Sequence, residues 1–147
     1  MTIDIDMQHP SARWILPVAG AGALWNGYGL IQFIGSLSQS PDMLMTRGLT
    51  PDQAALYATL PGWVTVAFGI AVALGIAGSL AFAARRAIAR PIFADSLLAY
   101  GLLFLGDFRH GIFAAIPSQL GIITLVLAIA MALLWASYIA TRRRHLA

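Results

Sequence analysis

Four runs of apolar residues, at about 14–36, 61–84, 91–108 and 118–140, alternate with short polar segments along the chain. Each approaches the roughly 20 residues that a helix needs to cross about 30 Å of hydrocarbon. In lipid a helix satisfies its own backbone polar groups, whereas irregular chain does not. The pattern therefore predicts an all-α membrane protein, a four-helix transmembrane bundle forming one domain over residues 1–147. The first run exceeds the 7–15 residues of a secretory h-region, so it is expected to remain as a span.

The segment between the first two runs contains TPDQAALYATLPGW. Thr50 suits an N-cap, Pro51 the first helical position, and Gln53 the third position of a capping box. A short interfacial helix over about 51–60 follows, with Leu56, Tyr57 and Leu60 facing the bilayer surface or the mouth of the bundle.

Within the runs, small residues recur at helical spacing. Ala19, Gly22, Ala23, Asn26 and Gly29 line one face of the first; Ala71, Gly75, Gly78, Ser79 and Phe82 share a stripe on the second; Thr124, Ala128, Ala132, Ala136 and Ala140 follow strict four-residue spacing on the fourth. Such faces let helix backbones approach closely. Three of them suggest a tight bundle with surface left over for association with further helices.

Composition supports the membrane reading: 59% of residues are hydrophobic and 10% charged, with a mean hydropathy of +0.78, against about 25% charged in a soluble domain. The sequence has no Cys, Lys or Glu. Thiolate chemistry, disulfides and iron–sulfur clusters are thereby excluded, as are retinal and pyridoxal Schiff bases. The three histidines, His9, His110 and His145, fall at or beyond the ends of the runs, so no histidine-ligated cofactor is expected inside the bilayer. No cofactor, metal or nucleic-acid partner is expected.

Charge sets an orientation. With four spans, Arg13, Arg85, Arg86, Arg90, Arg142, Arg143 and Arg144 share one side, against Arg47 and Arg109 on the other. The positive-inside rule then makes both termini cytoplasmic. The stretch GDFRHG, residues 106–111, emerges on the outer side. Asp107, Arg109 and His110 there read as a solvated turn, or as the mouth of an outward cavity if they turn inward.

The remaining polar candidates lie inside the runs. Asn26, the only asparagine, falls near the centre of the first span, where an unpaired amide costs several kcal/mol. It reads as interhelical glue or as a ligand contact. Tyr28 and Gln32 occupy other sectors of that helix. Asp95 lies about one turn inside the third span, within reach of Arg85, Arg86, Arg90 or Arg142; an ion pair and a proton-relay or substrate role are both open. Tyr100 adds a hydroxyl on the same span.

The segments ALWNGYGLIQF, LTPDQAALYATLPGWVTVAFGIAVALGIAGSLAFAARR and FADSLL resemble a family of small bacterial inner-membrane proteins with four helices and no established activity. The likeness rests on Leu24, Trp25, Asn26, Thr50, Gln53, Tyr57, Pro61, Trp63, Val64, Gly78, Ser79, Arg85 and Arg86, and covers about the first two thirds of the chain. It implies a multi-pass inner-membrane location. Relatives are sometimes labelled sugar transporters. The acidic residue often found late in the family's first helix is replaced here by the neutral Gln32 and Phe33, which removes the carboxylate an ion-coupled role would use.

Two functions follow as expectations. One is a non-enzymatic accessory subunit, packing its small-residue faces against a larger membrane complex. The other is a small-solute transporter working as a homo-oligomer, with Asn26, Tyr28, Gln32, Asp95, Tyr100 and Asp107 as its polar lining. Catalysis is not expected: HExxH and GxSxG are absent, and Asp107 with His110 lacks a nucleophile.

Overall fold

The computed structural model describes residues 12–147. All regular elements among them are helical: α1 (Ile15–Leu37), α2 (Pro41–Thr46), α3 (Pro51–Ala58), α4 (Gly62–Ala83), α5 (Ala89–Arg109), α6 (Ile112–Ala115) and α7 (Pro117–Arg142). The N-terminal Asp4, Asp6 and His9 lie outside the described residues.

Three helices, α4, α5 and α7, are long and apolar enough to cross a membrane, and the molecule reads as a membrane protein. At 23 residues α1 is as long as α4 and α5. It is not among the three because Asn26, Tyr28, Gln32 and five glycines interrupt its Ile, Leu and Val.

The helices form a ring in which α4 packs between α1 and α5, and α7 closes against α5 and, over a smaller area, α1. Small residues make the α1–α4–α5 contacts close. A Cβ added to Gly78 would sit 2.8 Å from the Phe93 ring of α5, and one added to Gly75 would collide with the Asn26 amide of α1. The predicted faces of α1 and α4 are thus the buried ones: Ala19, Gly22 and Asn26 on the first, Ala71, Gly75, Gly78, Ser79 and Phe82 on the second. Around them, Phe82 meets Trp14 and Phe93 at ring distances of 5.9 and 6.2 Å.

The stripe expected on the last span is buried only at its C-terminal end. Thr124, Ala128 and Ala132 are exposed, and α7 packs through Ile123, Ala130, Leu133, Ser137 and Ala140. Alanine is common enough in this helix to continue four-residue spacing onto an uncovered sector, and only the last two positions, Ala136 and Ala140, pack against the core.

Outside the long helices, α3 forms as its caps dictate. The Gln53 amide donates to the Thr50 hydroxyl at 3.3 Å, and the Thr50 amide donates to the Gln53 side-chain carbonyl at 3.0 Å. The helix ends at Ala58, with Thr59 as its C-cap. Gln53 also donates through Nε2 to the Ala115 carbonyl at 2.9 Å, which ties α3 to α6.

At the opposite end, α4 and α7 terminate in the same way. Arg85 (φ 56°) and Arg144 (φ 55°) adopt the left-handed conformation usually taken there by glycine. The backbone N–H groups of Arg86 and His145 then return to the carbonyls of Ala81 and Ala140, each at 2.9 Å. The C-terminal strand of chain is held to the α4–α5 turn, since Ala147 N–H donates to the Arg85 carbonyl at 2.8 Å and Ala87 N–H to the Ala147 carbonyl at 2.7 Å.

Candidate functional site

The polar groups of α1, α4 and α5 meet at the centre of the bundle. Asn26, 2% exposed, donates through Nδ2 to the Gly22 carbonyl one turn back, at 2.8 Å. Its Oδ1 accepts from the Tyr100 hydroxyl of α5 at 3.1 Å. Gly75 of α4 makes this possible, because any side chain there would occupy the space of the amide. Ser96, one turn before Tyr100, donates to the Ala71 carbonyl of α4 at 2.7 Å, and Ser79 donates to the Gly75 carbonyl at 2.8 Å.

A void of about 10 Å³ lies beside this cluster, bounded by Asn26, Ser96 and Tyr100 on one side and Val126, Ile129 and Leu133 of α7 on the other. That is room for one water at most. No buried side-chain nitrogen or oxygen among the described residues lacks a partner. The centre therefore joins helices through satisfied amide and hydroxyl groups, and carries neither a base nor an activated nucleophile.

A second polar cluster closes the end of the bundle near α3 and α6. Asp107 is 2% exposed, so the solvated turn expected at GDFRHG does not form around it. The residue belongs to the last turn of α5, on the same face as Tyr100 and Leu103, and accepts from Gln119 Nε2 of α7 at 3.3 Å. Tyr57 of α3 approaches from above. Burial pushes the Tyr57 hydroxyl well above its ordinary value, and the negative charge of Asp107 pushes in the same direction. His110 caps α5, with Nδ1 2.8 Å from the Gly106 carbonyl; a carbonyl only accepts, so Nδ1 carries the proton. The sharp turn follows at Gly111 (φ 75°).

The inward turn of Asp107 leads into packed side chains. A Cβ on its neighbour Gly106 would meet Val64 at 2.7 Å and Trp63 at 3.1 Å. Arg109 points away and is exposed.

The other expected site residues are not brought together. Tyr28 (59% exposed) and Gln32 lie on the outward side of α1. Asp95 is exposed on the outward sector of α5 rather than buried one turn inside the bundle. Two of its expected partners, Arg90 and Arg142, lie instead over the Tyr138 ring of α7. Ser96 and Gln119 were not among the expected site residues. Ser96 had a signal, since it lies four residues from Tyr100 and so on its face; Gln119 follows a proline at a helix start and had none. Among the described residues no group of three His, Cys, Asp or Glu side chains is placed to hold a metal ion.

Compared with models of known families, with curated proteins and with solved structures, the chain matches none.

Proposed function

We propose that this is a four-span membrane protein of the bacterial plasma membrane that acts as a non-enzymatic accessory subunit of a larger membrane complex. The observation that carries this reading is the closed centre: around a void of about 10 Å³, Ser96 and Tyr100 of α5 are spent on hydrogen bonds to Ala71 of α4 and Asn26 of α1, while Ser79 and the Asn26 Nδ2 are satisfied by carbonyls of their own helices. A transport path through one chain needs polar groups facing open space. Of the six residues suited to such a lining, Tyr28, Gln32 and Asp95 are on the outside. The uncovered small residues of α7 are consistent with close approach by another helix. As the fourth span, α1 pairs its Asn26 internally, which satisfies the amide that interrupts it. The arginine count favours cytoplasmic termini.

The test is mild-detergent purification of a tagged full chain from its native membrane, followed by native mass and identification of co-eluting proteins. A stoichiometric membrane partner is expected. A stable, monodisperse monomer would overturn the proposal, and a homo-oligomer alone would transfer support to the transport reading.

A further inference from the structure

At the arginine-rich end, two helices each aim a guanidinium at one aromatic ring. Arg90 Cζ of α5 lies 5.1 Å from the centroid of Tyr138 in α7, and Arg142 Cζ lies 5.6 Å from it. Both arginines are exposed while the ring is half-buried. A guanidinium resting over an aromatic face keeps its N–H edges free for an oxyanion. Trp135, 64% exposed, sits one turn deeper with its ring 5.8 Å from Tyr138. Phosphate-binding groups on the surface and an amphipathic aromatic just beneath match the depth profile of a phospholipid, whose phosphate lies outside its ester carbonyls.

Among the described residues, few acidic side chains lie near these cations. α7 contains no acid, nor does the tail 143–147 or the turn 84–88. The only acid of α5 near this end is Asp95, five residues beyond Arg90 and so about 140° around the helix. Arg85, Arg86, Arg143 and Arg144 add positive charge on both sides, with the tail held in place by the Ala147 hydrogen bonds.

We infer that Arg90 of α5 and Arg142 of α7, with the Tyr138 ring that both meet, form a headgroup site for an anionic phospholipid. The recognised chemistry is the phosphate oxyanion, bound by two guanidinium forks that come from α5 and α7. A lipid with two phosphates suits it best, because the arginines come from different helices. The inference rests on the chain lying in a bilayer, which resistance to carbonate extraction from the native membrane checks separately.

The full chain in detergent is titrated with cardiolipin, with phosphatidylcholine, and with inorganic phosphate as competitor, and bound lipid is counted by native mass spectrometry. Cardiolipin is retained and phosphatidylcholine is not. R90Q/R142Q weakens retention about 10-fold or more, because it removes both guanidinium forks that contact the phosphate, whereas R143Q/R144Q, which removes the same charge at the same end but no contact, changes it less than about 3-fold. Equal loss in both variants, or none in R90Q/R142Q, overturns the site. Displacement of cardiolipin by equimolar inorganic phosphate overturns the lipid assignment in favour of a free-phosphate site.

Discussion

The Tyr100 hydroxyl donates to the Asn26 side-chain carbonyl across 3.1 Å, joining the middle of α5 to the middle of α1 against the bare backbone of Gly75. Hydrogen bonds between membrane helices average about 0.6 kcal/mol in coupling and rarely exceed about 2. A double-mutant cycle of N26A and Y100F, read by unfolding in detergent, should give a coupling of about 0.5–2 kcal/mol. Additive single effects would mean that the bond contributes nothing.

Gly78 and Gly75 carry close contacts that a methyl group would break. G78A drives a Cβ toward Phe93 and should cost about 1–3 kcal/mol of stability, as overpacking does. G75A should cost at least as much, since it also displaces Asn26. G101A, at a site with nothing within 4 Å, should be neutral or gain up to about 1 kcal/mol from helix propensity. The order of the three midpoints in one unfolding assay is the check.

Tyr57 senses Asp107. Its folded hydroxyl holds the proton more tightly than an unfolded tyrosine, first through burial and then through the carboxylate. The stabilisation from this shift is fully present below about pH 10, the free tyrosine value, and is lost as pH rises beyond it, because the unfolded chain ionises first. Phenolate absorbance, taken as a difference from Y57F, should show D107N ionising at lower pH than the parent. An unchanged titration would separate the two groups.

Arg85 occupies a left-handed position with a Cβ it does not need there. R85G should stabilise by up to about 1 kcal/mol, because glycine carries no steric cost at φ > 0. R85A should not. Thermal midpoints of the two variants distinguish backbone strain from any loss of charge.

Much of the fold is legible in the order of residues, and the reasons for the misses are geometrical. The α1 and α4 faces could be read because Gly22, Asn26, Gly75 and Gly78 are small or polar where other helices must come close. On α7 the same reasoning misleads, because its alanines are too frequent to mark a face and its packing uses Ile123, Leu133 and Ser137. Run length fixes how deep Asp95 and Asp107 lie, but not which way they point. Helical angle does: Asp107 lies seven residues from Tyr100 and shares its buried face, whereas Asp95 lies five residues away and does not. The pairing of Gln53 with Ala115, 62 residues apart, has no local signal at all.

Substituted-cysteine labelling reads water access to the closed centre directly, because the chain has no cysteine of its own. S79C and S96C, each with a single thiol at the buried cluster, would be treated in native membranes with a water-soluble, membrane-permeant methanethiosulfonate, alongside T59C in the exposed turn after α3. T59C is expected to label, and the other two are not. Rapid labelling of S96C or S79C would reveal a water path to Asn26 and Tyr100, and would contradict a centre built only to hold helices together.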